Sequence, residues 1–422
     1  AYFGRGSGPS NEPRRAILLT FAISSAGIFA GDLNTIASVI TMFFLMTYGT
    51  VNLACFYEMI SRNPSFRPSF KMNHWSLALL GALGCLAVMF LISPVWALVA
   101  IVLSIGLYYL IIRSEIIVQW GDMSSGLAYQ NARKALLRLE YEKYHPKNWR
   151  PTILALSGGA WNRSNLIRYA CLFSADRGIV SLAQIITGEL EDRFTRRTEA
   201  ERFMRKFLRE NNLPAFPVVI VDDSFDSALK ALLQCHGIGG LRPNTLLLGW
   251  SGEEKGSDVF CMILDLARNM KRSVLVVRSL QSQNEWHLLK GTINIWWNDP
   301  VHCQLALLMA FLLQQNREWR DDPLRIIRTV SPKADLANSR QEMERMLTLS
   351  RIDAEILILP TDDALTALRD SIEPSAILFA GFDPPGPEEE CREEKREEMA
   401  AIMRLPGEVV LVYNASDASL ME

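Results

Sequence analysis

Ser157-Gly158-Gly159 is the stretch of this chain best suited to holding a ligand. A small hydroxyl and two residues without side chains follow an apolar, strand-like run and precede a helical pattern. At that place in a doubly wound sheet, backbone N–H groups at a helix N-terminus cradle phosphate. A tight turn would carry the same letters. The chain has neither GxGxxG nor GxxxxGK[ST], so a dinucleotide site or nucleotide hydrolysis has little support. Asp222-Asp223-Ser224 also follows a strand-like run, where it reads as the cap of the next helix ahead of a metal site. His236 beside Cys235 and His302 beside Cys303 are isolated pairs, ligands only if distant partners converge. No Ser–His–Asp arrangement stands out, and Glu388 to Glu398 reads as a solvated helix start. No residue of the chain is expected to be catalytic, metal-binding or ion-binding.

The elements that would position these residues alternate from Arg150 onward. Strands are expected at Thr152–Leu156, Ile179–Ile186, Pro217–Val221, Thr245–Gly249 and Ser273–Val277, then at Ile293–Trp297, Leu324–Thr329, Glu355–Leu359, Ala376–Phe379 and Val409–Val412. Helical patterns lie between them: Asn162–Ser174, Ala200–Glu210, Ser227–Cys235, Val259–Asn269, Val301–Gln314, Ser339–Ser350, Ala364–Ser371 and Cys391–Met403. Two runs of strands and helices imply a duplicated α/β unit with parallel sheets covered on both faces. The halves would be residues 151–280 and 281–422, with Gln281–Gly291 as the linker between them.

The first quarter is built differently. From Ala16 to Ser61, and again from Met72 to Ile112, there is no lysine or arginine. A membrane-crossing helix needs about 20 mostly apolar residues, and four segments approach or exceed that: Arg15–Gly31, Asn34–Tyr57, Trp75–Ile92 and Val95–Ile112. Breaks at Gly31-Asp32 and Ser93-Pro94 predict two helical hairpins. Arg5, Arg14 and Arg15 precede the first span, Arg62, Arg67 and Lys71 separate the second from the third, and Arg113, Arg133, Lys134 and Arg138 follow the fourth. The positive-inside rule then places the N-terminal stub, the central loop and everything after Arg113 in the cytosol. Asp32 and Glu58 sit at span ends, within reach of water. Asn34 and Asn52 are candidates for a pathway or for inter-helix hydrogen bonds. Gly81, Gly84 and Ala87 would allow close helix contact, in a packing face or a dimer face. Residues 1–113 thus read as four transmembrane helices, and 114–150 as a connector whose helix carries a basic face toward lipid headgroups or water.

Composition narrows the function classes. The formal charge of -2 and pI near 6.3 exclude a general nucleic-acid binder. The mean hydropathy of +0.09 averages an apolar quarter with polar remainder. Seven cysteines, at 55, 85, 171, 235, 261, 303 and 391, form no CxxC and read as buried thiols of a reducing compartment. The chain opens on Ala1 with no leader pattern, which fits a piece of a longer protein.

Six stretches, in order along nearly the whole chain, resemble the cation-chloride cotransporters, the Na-K-Cl and K-Cl symporters of the amino acid-polyamine-organocation superfamily. They are Asn11-Glu12-Pro13-Arg14-Arg15-Ala16, Leu33-Asn34-Thr35-Ile36-Ala37 and Asn63-Pro64-Ser65-Phe66-Arg67-Pro68 in the apolar quarter. Gly240-Leu241-Arg242-Pro243-Asn244-Thr245, Ile293-Asn294-Ile295-Trp296-Trp297 and Arg351-Ile352-Asp353-Ala354-Glu355 follow in the remainder. The resemblance implies that the four spans are the last four of twelve in an inverted-repeat transporter. The family's ion sites come mainly from the first, third, sixth and eighth helices, so none is expected here. It further implies a cell-membrane protein with a cytosolic regulatory domain of two universal-stress-like halves. A homodimer through the last two spans and that domain is expected, with K, Na and Cl as substrates of the intact protein and membrane lipid around it. Some members hold nucleotide in the cytosolic domain, which gives Ser157, Gly158 and Gly159 a place as a nucleotide contact; no cofactor is otherwise required. The tryptophan pair runs into Asn298-Asp299-Pro300-Val301-His302 where eukaryotic carriers have Asp-Gly-Gly, a departure that implies a prokaryotic member. Two other readings stay open: an amino-acid or polyamine permease of the same superfamily, and a membrane-anchored nucleotide sensor.

Overall fold

A computed structural model describes residues 13–30, 33–61, 74–113, 123–141, 148–157, 164–250, 257–279, 291–374, 376–385 and 389–415. The chain divides into two compact units, 1–137 and 138–422.

In the first unit, α1 (Arg14–Ala30), α2 (Leu33–Ser61), α3 (Trp75–Ile92) and α4 (Pro94–Arg113) reproduce the four apolar segments, and α5 (Met123–Tyr141) follows. Among the described residues, Ile36–Ser61 and Trp75–Ile92 are long and apolar enough to cross a bilayer, while Pro94–Leu110 is apolar but shorter. The principal pairing differs from the expected hairpins: α2 packs chiefly along α3, with smaller contacts from each to α4. The reason is steric. A Cβ on Gly81 would lie 2.9 Å from the Asn52 side-chain oxygen, and one on Gly49 would lie 3.3 Å from Cys85 Cβ, so two glycines let the helices close up. Gly84 faces open space. Met42, Met89, Ala97 and Ala100 form a small buried cluster where α2, α3 and α4 meet, and Leu91, Val95, Val102 and Leu110 stay largely exposed.

The second unit is a three-layer α/β sandwich. Its strands are β1 (Thr152–Leu156), β2 (Ile179–Thr187), β3 (Phe216–Asp222), β4 (Thr245–Gly249), β5 (Ser273–Arg278), β6 (Ile293–Trp296), β7 (Leu324–Val330), β8 (Glu355–Pro360), β9 (Ile377–Gly381) and β10 (Glu408–Tyr413). They form one ten-stranded sheet in the order β3-β2-β1-β4-β5-β10-β9-β6-β7-β8. Counted within its own half, each set of five runs 3-2-1-4-5 with parallel neighbours. The halves therefore repeat one topology. They join through the only antiparallel pair among the described strands, β5 with β10, centred on Val276 opposite Leu411. A local two-fold relation passes through that pair, so the expected pair of sheets is a single continuous one.

Helices α6 (Ser164–Ser174), α7 (Leu190–Glu210), α10 (Pro300–Gln314) and α11 (Leu336–Ser350) cover one face over a core that includes Ile167, Met204, Leu305 and Met346. Helices α8 (Phe225–Cys235), α9 (Ser257–Asn269), α12 (Ala364–Ser371) and α13 (Glu389–Met403) cover the other over Leu229, Leu264, Leu368 and Ile402. Strand side chains alternate between these cores, Ile153 and Ala155 into the first, Leu154 and Leu156 into the second. Local geometry repeats as well as topology. Asn212 after α7 and Arg351 after α11 both take positive φ, 51° and 55°, and the next residue of each donates back five residues, Leu213 to Leu208 and Ile352 to Leu347.

Candidate functional site

In a sheet ordered 3-2-1-4-5 the chain reverses direction of growth between its first and fourth strands, and ligands bind outside the carboxyl ends there. This molecule has two such points, between β1 and β4 and between β6 and β9.

At the first, Ser157 follows β1, is buried, and donates its N–H to the Ala183 carbonyl at 3.3 Å. Gly158 and Gly159 lie outside the described residues, as do the loop 251–256 after β4 and the linker 280–290. Around this point the chain gathers polar groups that sequence reasoning missed. Asn165, in the first turn of α6, donates to Ser279 Oγ at 3.3 Å, and Ser279 Oγ donates to Glu408 Oε1 at 3.0 Å. Glu408 is fully buried and opens β10, so the second half supplies a carboxylate to the carboxyl end of β5 in the first. Arg278, beside it, donates to the carbonyls of Leu405 at 2.7 Å and of Gly407. Burial lowers the Arg278 pKa from its ordinary value.

The second point is filled by the chain itself. Asp299 caps α10, accepting from the N–H groups of Val301 and His302 at 2.8 and 2.9 Å, with Pro300 in the first helical turn. Asn298 donates to the Gly381 carbonyl at 2.7 Å and accepts the Gly381 N–H at 3.0 Å, clasping the end of β9. A Cβ at Gly381 would come within 2.9 Å of His302 Cβ and 3.1 Å of Asn298 Oδ1, which is why a glycine stands there. His302, 5% exposed, bonds Asp383 through Nε2 at 2.9 Å and receives the Asn414 N–H on Nδ1 at 3.1 Å. Cys303 is buried beneath it, and burial pushes its thiol up to about 11; Cys171 is likewise pushed up to about 12. Neither thiol is a nucleophile at neutral pH.

The other residues singled out by sequence resolve into structure. Ser224 Oγ accepts from the Ser227 N–H at 3.1 Å, and Asp222 accepts from Ser227 Oγ at 3.2 Å, so Asp222-Asp223-Ser224 opens α8 as a cap. His236 pairs with Ser181 Oγ at 2.8 Å, and burial lowers its pKa. No cluster of three or more metal-ligating side chains occurs among the described residues. Asn52 donates to the Tyr48 carbonyl within its own helix at 2.9 Å while its amide rests on Gly81. Asp32 lies outside the described residues.

Two family models match parts of this chain. Residues 2–155 match the amino acid permease family model, and residues 163–284 match the model of solute carrier family 12. The second of these models describes the family that the sequence motifs resemble, the cation-chloride cotransporters. Both models describe transporters, not enzymes. Among solved structures, the cytoplasmic domain of a prokaryotic cation chloride cotransporter aligns with TM-score 0.48 and 14% identity, over 65% of this chain and 99% of that one. A universal stress protein from Archaeoglobus fulgidus DSM 4304 aligns with TM-score 0.44 and 14% identity, over 64% of this chain and 98% of that one. The chain thus joins apolar helices matched by a permease model to a two-halved parallel α/β unit.

Proposed function

We propose that this chain is the C-terminal part of an electroneutral cation-chloride symporter, coupling chloride to potassium, sodium or both. The observation that carries this reading is the succession within one chain of a permease match, over residues 2–155, and a family-12 match, over residues 163–284 in the first half of the α/β unit. A permease for amino acids or polyamines would account for the first match and leave the second unexplained.

In this reading α1 to α4 are the closing four spans, with the residues after Arg113 on the cytosolic side, where the flanking arginines and lysines would hold them. Their character supports a scaffold role. The described spans carry no helix break of the kind that builds a midplane ion site, and the amide of Asn52 is spent on packing. The α/β unit is the regulatory domain, and the intact protein is a homodimer through its last spans and that domain. Ser157, with Gly158 and Gly159, is proposed as a nucleotide contact at the first switch point.

The decisive assay uses the complete carrier that contains these residues, reconstituted in liposomes. Rubidium uptake should require chloride on the same side and should not respond to an imposed membrane potential. Uptake of amino acids or polyamines, with no chloride-dependent rubidium flux, would transfer the protein to the permease reading.

A further inference from the structure

We propose that His302 is a proton-sensitive latch that fastens the end of β10, and with it the seam between the two halves, to the start of α10. The ring is buried and held at both nitrogens. Nδ1 accepts the Asn414 backbone N–H at 3.1 Å, so it carries no proton; Nε2 donates to Asp383 Oδ1 at 2.9 Å. The network thereby fixes a neutral ring in one tautomer. Asn414 is tied twice, since its side chain also donates to the Val301 carbonyl at 3.0 Å, and Ala415 donates its N–H to Ser273 Oγ at 3.1 Å. These bonds bring together the end of β10, the first residue of β5 and the N-terminus of α10.

A proton added to this ring has one place to go. It must sit on Nδ1, where it faces the Asn414 N–H, turning a donor–acceptor contact into two opposed donors. The bond to Asp383 survives, because Nε2 donates in either state and the charged ring strengthens it. Rotation of the ring gives no escape: exchanging the nitrogens in an ionised imidazole still presents a donor to Asn414. The loss therefore falls on the β10 side alone. β10 pairs with β5 antiparallel and with β9 parallel, so its end is where the two halves are stitched.

Asp299 and Cys303 share α10 with the ring; Asp299 faces the helix N–H groups it caps. Asp383, after β9, is mostly exposed on its side chain. Tyr413, on β10, lies tilted against the ring at a centroid distance of 5.3 Å and has its pKa raised by burial. Further out, Asp383 also acts on Lys395 of α13, and Arg268 of α9 acts on Tyr413. Among these, histidine is the side-chain type that changes charge between about pH 5 and 8.

The test is hydrogen exchange read at Asn414 and Ala415 in the intact chain, held in detergent or nanodiscs, at pH 7.5 and 5.5. Protection factors are corrected for the pH dependence of chemical exchange. Loss of one such bond corresponds to about a tenfold fall in protection, expected at these two amides on acidification. His302→Gln keeps a donor for Asp383 but does not titrate, and should show no local pH response. Unchanged protection in the native protein, or the same fall in His302→Gln, would overturn the latch.

Discussion

Asp222-Asp223-Ser224 and His302 show two kinds of polar residue and why only one is readable in a sequence. The Ser224 cap is closed within three residues, by the Ser227 N–H, so its chemistry is written locally. Replacing Ser224 with alanine should cost about 1 kcal/mol of stability, and divalent cations should leave the melting temperature of the native protein unchanged. The cluster at the second switch point joins Asn298, His302, Asp383 and Asn414 across far-separated parts of the chain. No spacing rule collects such residues, because the ends of β6, β9 and β10 meet only in the folded sheet. Gly381 is part of the same packing, and alanine there should destabilise by roughly 1–3 kcal/mol because the new methyl meets His302 and Asn298. His236 gives a pH prediction with a definite sign. Its folded pKa is lowered by burial, so the folded state binds fewer protons than the unfolded one as pH falls below about 6.5. Stability contributed by neutral His236 is present above that value and is lost on acidification toward the folded pKa. Denaturant titrations at pH 7.5 and 5.5 should show a smaller acid loss in His236→Gln than in the native protein.

At the scale of elements, the apolar helices and most strands were legible because their hydrophobic periods are local. Only the second half of α7 is legible in the sequence. Its first half, Leu190 to Glu199, interleaves acids and arginines without an apolar stripe, and Leu190 and Phe194 remain exposed. The helix is carried there by its continuation into Met204 and Leu208, which are buried, with Glu201 paired to Arg197 and Arg205. The pairing of α2 with α3 was not legible either, since short breaks favour neighbours joined by tight turns. Which glycine meets which helix is a tertiary fact. It yields a covalent test: Gly49→Cys should form a disulfide with native Cys85 under mild oxidant, because a Cβ at residue 49 lies 3.3 Å from Cys85 Cβ, near the separation disulfides need. Failure to cross-link would contradict the α2–α3 packing. Gly81→Val should slow that reaction when combined with Gly49→Cys, and Gly84→Val should not. Edge strands carry their own protection. Pro217 removes a donor from β3, Arg197 Nε covers the Val219 carbonyl at 3.2 Å, and Arg340 reaches the Ile356 carbonyl on β8 at 3.5 Å.

For the whole molecule, the sequence announced two α/β halves but not that they share one sheet. Strand order depends on which edges meet, and β5 and β10 read simply as apolar runs. The seam is also where the halves exchange side chains: Glu408 with Ser279, Arg278 with the turn before β10, and the ring of Phe173 on α6 against Phe379 on β9 at 5.9 Å. Arg278→Ala, which strands two buried carbonyls, should cost on the order of 3 kcal/mol and lower the unfolding midpoint of both halves together. Separate transitions, followed by hydrogen exchange in each half, would show that the seam does not couple them. The central claim is the proposal that α1 to α4 support an ion path without forming it. It is tested most directly by chloride-dependent rubidium uptake into liposomes holding this 422-residue chain alone. The account predicts flux no greater than that of protein-free liposomes, and uptake that saturates with chloride would contradict it.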